Sequence, residues 1–356
     1  MKKTLALMLS LALMVTLFAA CSSGQGGNTP ASTGSSSTGE SAPAQEKTFE
    51  LKLGTIRDDA DPATQAVKEF AKLVEEKTNG TVKVKVFSNS QLGGLTDMLP
   101  GMTSGVVDMM HDRISCYGML EGARKFNITA APFIWESHDQ LEGFMHSPEA
   151  QAWFDEAAAA TQVRCFMTKG EPEARQLSSN KAVATADDFK GLKVRTAEIA
   201  VVQQTMKALG AEPIAIPFND LYMALRQGTA DAQENGFLTI KNKSFFEVQE
   251  YLMRTDYIRD ISAYYISEKI WQQMSTAQQD AIKAAAQEAG DLETELTQKN
   301  VEEALSFLKE NMTYVEIDLD SVRSKLGDTI YEQFDKEGKA WETGAYATVK
   351  AYKEAN

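Results

Sequence analysis

Residues 187–237 read DDFKGLKVRTAEIAVVQQTMKALGAEPIAIPFNDLYMALRQGTADAQENGF, and this stretch decides the fold. Its apolar residues predict short strands that alternate with amphipathic helices, which is typical of an α/β sheet. Arg195 and Asn235 each stand at the end of a predicted strand. Because ligands of open α/β sheets bind beyond the carboxyl ends of the strands, both side chains are candidate ligand contacts.

The chemistry of these two side chains suits a carboxylate. The guanidinium of Arg195 offers a rigid pair of donors that matches the two oxygens of a carboxylate. The amide of Asn235 can donate and accept, so it can complete a carboxylate or bind a neighbouring hydroxyl. The pattern alone also allows an ordinary interpretation, with Arg195 on the surface and Asn235 in a turn.

Four motifs in this stretch together resemble the extracytoplasmic solute-binding proteins of TRAP (tripartite ATP-independent periplasmic) transporters, which bind C4-dicarboxylates, sialic acid and related acids. The motifs are DFKGLKVR (188–195), LGAEP (209–213), PFNDLYMALRQG (217–228) and DAQEN (231–235). Arg175 lies twenty residues before Arg195, as an arginine of the family does. The resemblance runs from about Thr48 onward. It implies that Arg195 anchors the ligand, with Arg175 as a second donor and Asn235 as a supporting group.

The resemblance implies further ligand contacts. Phe218 stands where the family has an aromatic ring against the body of the ligand; the alternative is that it is buried in the core. Arg113 follows a predicted strand, at a position that varies with substrate in the family. The alternative for Arg113 is a charge that faces outward. Asp61, together with Arg57 and Asp112, adds polar groups. They suggest a hydroxylated acid such as a sugar acid, while dicarboxylates and keto acids stay open.

The resemblance also implies the architecture. We expect a two-lobe, hinged α/β fold of the periplasmic-binding-protein type, with discontinuous lobes and a long helix behind both. The predicted helix covers residues 276–310, interrupted at Gly290, and would be about 50 Å long at 1.5 Å per residue. Lobe I is expected at 48–172 with 261–300, and lobe II at 173–260 with 301–356.

The amino-terminal residues predict export. Lys2 and Lys3 precede an apolar run at 5–18, so residues 1–21 resemble a lipoprotein signal peptide that ends at Cys21, which would carry the lipid. The alternative is an ordinary cleavage site beside a plain thiol. Residues 22–47 are rich in Ser, Gly and Pro and predict a flexible tether. We therefore expect a membrane-anchored protein in the periplasm or on the outer face of the cell membrane.

Two further cysteines, Cys116 and Cys165, leave two interpretations open. Export permits a disulfide between them, because the extracytoplasmic environment is oxidising. Two buried thiols that pack as small apolar groups are equally compatible with the sequence.

Composition and missing motifs exclude other functions. A net charge of −14 and a pI near 4.9 argue against nucleic acid as a partner. There is no HExxH, CxxC, GxSxG, GxGxxG or Walker A string, so we expect no enzyme, no metal and no cofactor. The sequence predicts a receptor that captures an organic acid and delivers it to a TRAP permease. A receptor of the same fold that serves a membrane sensor kinase is the alternative, and a secreted hydrolase a distant third.

Overall fold

The computed structural model describes residues 46–356, which form one compact unit. The predicted signal peptide, Cys21 and nearly all of the predicted tether lie outside the described residues. Within 46–356, no helix is both long enough and apolar enough to cross a membrane. Two separate β-sheets with helices around them confirm the predicted α/β class.

The first sheet is built mainly from the amino-terminal half of the described chain. Its strands are β1 (Phe49–Gly54), β2 (Val82–Phe87), β3 (Met109–Arg113), β4 (Val163–Thr168) and β10 (Ser262–Ser267). They lie in the order β2-β1-β3-β10-β4. β1 pairs in parallel with β2 and β3, so these three strands end at the same edge of the sheet. β10 is antiparallel to both of its neighbours.

The second sheet consists of the five strands that lie between β4 and β10 in the sequence and of one strand that follows β10. These are β5 (Gln176–Ser179), β6 (Lys193–Thr196), β7 (Glu212–Ala215), β8 (Ala232–Asn235), β9 (Tyr251–Met253) and β11 (Thr313–Val315). They lie in the order β11-β9-β5-β8-β6-β7. The chain therefore enters the second sheet, returns to the first for β10 and comes back for β11. Neither sheet is continuous in sequence.

Twelve helices surround the sheets of the described chain. They are α1 (Pro62–Lys77), α2 (Leu95–Ser104), α3 (His138–Met145), α4 (Pro148–Thr161), α5 (Ala200–Ala208), α6 (Leu221–Arg226), α7 (Phe237–Asn242), α8 (Glu268–Trp271), α9 (Thr276–Asn311), α10 (Leu319–Leu326), α11 (Ile330–Glu337) and α12 (Ala345–Ala355). Short 3₁₀ turns occur at Ile114–Met119, Arg124–Ala130, Ala186–Phe189, Phe218–Asp220 and Phe245–Glu247.

Helix α9 joins the two halves of the molecule. Its 36 residues correspond to a length of about 54 Å. Its first half packs on α1 and on the apolar core beside β1, and its second half packs on α7 and β11. The prediction of a long helix behind both sheets is confirmed.

The predicted interruption of this helix at Gly290 is wrong, because α9 continues through that residue. The glycine has a packing role instead. A Cβ atom at Gly290 would lie 2.5 Å from Cγ and 2.7 Å from the carbonyl carbon of Lys169. Glycine is required there because the chain that leaves β4 lies directly against the helix.

The carboxyl-terminal helices contact both halves of the molecule. Helix α10 packs on α5 and on the turn Ala186–Phe189. Helix α12 packs on α3, where the ring of Tyr352 lies 5.2 Å from that of Phe144. Residues 319–356 therefore touch segments that the predicted division assigns to different lobes, and the lobe limits stay a prediction.

Cys116 and Cys165 are both buried and are not bonded to each other. This decides the open question in favour of two free thiols. Burial raises the pKa of both thiols, so neither is activated as a nucleophile at neutral pH.

Candidate functional site

A cavity of about 410 Å³ lies between the two sheets. On the side of the first sheet it is lined by Arg57, in the loop after β1, and by the end of β3. On the side of the second sheet it is lined by Arg195 on β6 and by Asn235 at the end of β8, and these two strands run in parallel. The carboxyl ends of strands from both sheets thus face one space, and its volume suits a small ligand.

Arg195 lines this cavity as a buried cation. Its Nε and Nη2 atoms donate to the carbonyl oxygen of Ile216 at 2.8 and 2.6 Å. The side chain is only 2% exposed, and burial lowers the pKa of Arg195 to about 10, so it keeps its charge at neutral pH. Among residues 46–356, no carboxylate forms an ion pair with this guanidinium.

Arg175 enters the cavity with its charge already balanced. Its Nε and Nη2 atoms donate to the carboxylate of Glu234, with 2.7 Å between Nη2 and Oε1. Tyr257 donates to the same carboxylate at 2.8 Å. Burial opposes the charge, but Glu234 holds the pKa of Arg175 above its usual value. Arg175 is therefore a fixed cation whose charge is balanced by Glu234.

Asn235 lies beside this pair. In the antiparallel ladder of β5 and β8 it stands opposite Gln176, the residue after Arg175. Its Oδ1 atom accepts from Nη2 of Arg175 at 3.4 Å, and its Nδ2 atom donates to Gln233 at 2.6 Å. The orientation of the amide is thus set by its neighbours, and the residue is buried in the cavity wall.

The first sheet contributes two more buried arginines and an acid. Nη2 of Arg57 lies 3.8 Å from Oδ1 of Asp112, and Nη1 donates to the hydroxyl of Thr239 at 3.3 Å. Arg113 donates from Nη2 to the carbonyl oxygen of Glu173 at 3.2 Å. Burial and the neighbouring arginines lower the pKa of Arg113. Burial also opposes the charge of Arg57, but Asp112 and another carboxylate raise its pKa.

Phe218 forms an aromatic part of the wall. The guanidinium carbons of Arg57 and Arg195 each lie 5.9 Å from the centre of its ring, and Nζ of Lys243 lies 5.6 Å from it. Cations at this distance are attracted to the face of an aromatic ring. The ring therefore lies between cations from both sheets and presents an apolar surface to the cavity.

The cavity brings together five of the six ligand contacts predicted from the sequence: Arg195, Arg175, Asn235, Phe218 and Arg113. Asp61 lies outside it. Its carboxylate accepts from the backbone nitrogen of Ala63 at 2.9 Å and caps α1. Burial raises the pKa of Asp61.

Two partners of the arginines were not predicted from the sequence. Glu234 belongs to the quoted DAQEN motif but received no role, because its ion pair with Arg175 joins residues 59 positions apart and leaves no local pattern. The carbonyl oxygen of Ile216 had no sequence signal, because any residue supplies a carbonyl group.

The fold and this cavity define a two-lobe solute-binding protein. Residues 53–337 match the DctP family, described as bacterial extracellular solute-binding protein, family 7, and the chain belongs to it. This confirms the resemblance to the binding proteins of TRAP transporters.

Three relatives illustrate the match. The chain is 30% identical to the sialic acid-binding periplasmic protein SiaP of Vibrio cholerae, over 80% of this chain and 88% of that protein. It is 28% identical to the 2,3-diketo-L-gulonate-binding periplasmic protein YiaO of Escherichia coli, over 81% and 87%. A TRAP periplasmic solute-binding protein from Roseobacter denitrificans, solved with bound L-galactonate, superposes with a TM-score of 0.77 at 26% identity, over 83% of this chain and 97% of that one. None of these relatives supports the sensor-kinase alternative.

Proposed function

We propose that this protein captures a hydroxylated organic acid in the cavity between its sheets and delivers it to a TRAP permease. The observation that carries the proposal is Arg195, a buried cation on the cavity wall whose hydrogen-bond partner is a carbonyl oxygen. A buried positive charge without an ion pair is costly, and a ligand carboxylate offsets that cost. The names of the relatives described above, which concern sialic acid, diketogulonate and galactonate, favour a sugar acid.

Each cavity residue has a role in this proposal. Arg195 anchors the carboxylate, and Asn235 and Arg175 add donors beside it. Phe218 packs against the carbon chain of the ligand, and Arg113 contacts its far end. The site contains binding groups only, and we propose that the protein performs no catalysis.

Ligand binding is proposed to favour the closed arrangement of the sheets. Lys243, just after α7, donates to Asn89 at 2.9 Å and pairs with Asp58 at 3.2 Å, so loops attached to the two sheets already touch near Phe218. A ligand that contacts Arg195 on one sheet and Arg113 on the other adds to these contacts. It therefore stabilises the closed state over the open one.

We further propose that Cys21 carries a lipid that holds the receptor on the outside of the cell membrane. The basis is the sequence pattern at residues 1–21. Replacing Cys21 with alanine should release the protein from the membrane fraction without affecting ligand binding. Retention of the variant in that fraction would contradict the lipid anchor.

A thermal-shift screen of the purified protein tests the function. The panel contains sugar acids, dicarboxylates, keto acids, neutral sugars and divalent metals. An acid that binds the native state raises its melting temperature by mass action, and Arg195→Ala should abolish that shift. Shifts from neutral sugars alone, or from metals alone, would contradict the proposal. Turnover of model esters or glycosides would contradict the assignment as a binding protein.

A further inference from the structure

The charges of the cavity wall restrict which acids fit. Four buried arginines and four carboxylates line it. Three of those acids, Asp97, Glu198 and Asp220, are exposed and lie at its rim. The fourth, Asp112, is only 5% exposed and lies on the inner wall. A ligand that enters the cavity therefore meets one buried negative charge.

Asp112 is held firmly in this position. It lies near the end of β3, and its Oδ1 atom accepts from the backbone nitrogen of Arg113 at 2.8 Å. The same oxygen faces the guanidinium of Arg57 at 3.8 Å. Its Oδ2 atom is buried and has no hydrogen-bond partner among the described residues. The side chain thus balances the arginines of the first sheet and still has one acceptor to fill.

Two arginines of the cavity form no ion pair among residues 46–356. Glu234 pairs with Arg175, and Asp112 faces Arg57. Arg195 donates to the carbonyl oxygen of Ile216. Arg113 donates from Nη2 to the carbonyl oxygen of Glu173, and its buried Nε has no partner among the described residues. Arg195 can therefore accept one ligand carboxylate, whereas Arg113 shares its end of the cavity with the buried charge of Asp112.

We propose that this site selects organic acids with a single negative charge and that Asp112 excludes a second carboxylate. This inference rests on the proposed function and specifies the substrate class of the same site. A ligand that is anchored at Arg195 extends towards the first sheet, where a second carboxylate would meet the buried charge of Asp112. Like charges in a desolvated site repel strongly, and such repulsion is a common source of specificity. A hydroxyl group at that end can instead donate to Asp112 and accept from Arg113.

Matched acids of equal carbon number test the proposal by titration calorimetry on the purified protein. The pairs are threonate with tartrate, gluconate with glucarate, and galactonate with galactarate, and succinate and malate are added. In the pair that binds best, we expect the monocarboxylate to bind at least about tenfold more tightly, because the second charge is placed near Asp112. Asp112→Asn should reduce that ratio about tenfold. Asp155→Asn removes the same charge from an exposed position on α4, with 78% of the side chain accessible, and should leave the ratio unchanged.

A dicarboxylate as the tightest acid for the wild-type protein would overturn the proposal, and this measurement needs no variant to fold. A wild-type preference for monocarboxylates that Asp112→Asn leaves intact would overturn the role of Asp112. If no acid of any kind binds, the proposed function itself fails, which is a separate result.

Discussion

Arg195 is held by the carbonyl oxygen of Ile216, to which it donates from both Nε and Nη2. This carbonyl follows β7, the strand that pairs in parallel with β6. The backbone of the second sheet therefore fixes the direction of the guanidinium without neutralising its charge. A neutral acceptor leaves the cation free to pair with a ligand, whereas a protein carboxylate in its place would compete with that ligand.

We expect Arg195→Ala to weaken binding of the natural acid by about 2–5 kcal/mol, since truncating one partner of a buried charge pair costs this much. Arg195→Lys should lie between wild type and alanine, because it keeps the charge but loses the planar fork. Arg226→Ala, on the exposed side of α6, is the matched control and should bind as wild type does. Calorimetric titration measures all three variants. Wild-type affinity in Arg195→Ala would contradict the anchoring role.

The pair Arg175–Glu234 predicts a large effect on stability. Glu234→Gln leaves the guanidinium of Arg175 buried without a counter-charge, and breaking such a pair costs about 3–5 kcal/mol. Urea unfolding measures the loss. The control is Lys181→Ala, which removes the ion-pair partner of Asp231. The side chain of Lys181 is 60% accessible, so its loss should cost about 0–1 kcal/mol. Equal losses in the two variants would mean that burial does not strengthen the Arg175–Glu234 pair.

The second sheet was predicted well from the sequence, because the residues that mark its strands and turns are close together in the chain. The short apolar strands around Arg195 and Asn235 are bounded by turn residues, and both side chains do line the cavity. The first sheet was predicted less accurately. Arg113 was expected to follow a strand, but it is the last residue of β3 (Met109–Arg113), which pairs with β10 about 150 residues later in the chain. Long-range pairing of this kind leaves no local pattern.

Two features of the structure were not predicted from the sequence, for different physical reasons. The contact of Asp61 with a ligand stays a prediction, but its capping of α1 was missed, although an aspartate directly before a proline at the start of a helix is a recognised capping signal. That information was present in the sequence. The break expected at Gly290 rested on the helix propensity of glycine, which tertiary packing against Lys169 overrides. That contact could not be read from the sequence.

Asp260 predicts a specific dependence of stability on pH. Burial raises the pKa of this carboxyl above 3.8, although hydrogen bonding from Ser115 and the charge of Arg113 act in the opposite direction. The native protein therefore binds the proton more tightly than the unfolded chain does. As pH rises from the unfolded pKa through the native one, the unfolded chain ionises first and the protein loses stability.

Asp260→Asn removes this titration and keeps the size of the side chain. The free energy of unfolding of the variant, relative to wild type, should therefore increase with pH across that window and become constant above it. Urea unfolding of both proteins at several pH values from 4 to 8 measures the difference. A relative stability that increases as pH falls would show that the charge of Arg113 outweighs burial.

Gly236 connects β8 to α7, and its close packing predicts a steric effect of substitution. It lies between β8 and α7, and a Cβ atom there would be 1.9 Å from Cδ of Glu173. That carboxylate accepts from the backbone nitrogens of Leu238 and Thr239 at 2.6 and 3.0 Å. The carbonyl oxygen of Glu173 accepts from Arg113. A side chain at Gly236 would displace Glu173 and disturb the cavity arginine that it holds.

We expect Gly236→Ala to destabilise the protein by about 1–3 kcal/mol, the usual cost of overpacking, and to weaken ligand binding as well. Gly94 is the matched control for stability, because it also precedes a helix with an extended backbone but has no atom closer than 3.7 Å to the added carbon. Gly94→Ala should cost less. In a Glu173→Ala background the clash is absent, so Gly236→Ala should then cost little. An undiminished cost in that background would show that the glycine is needed for another reason than close contact with Glu173.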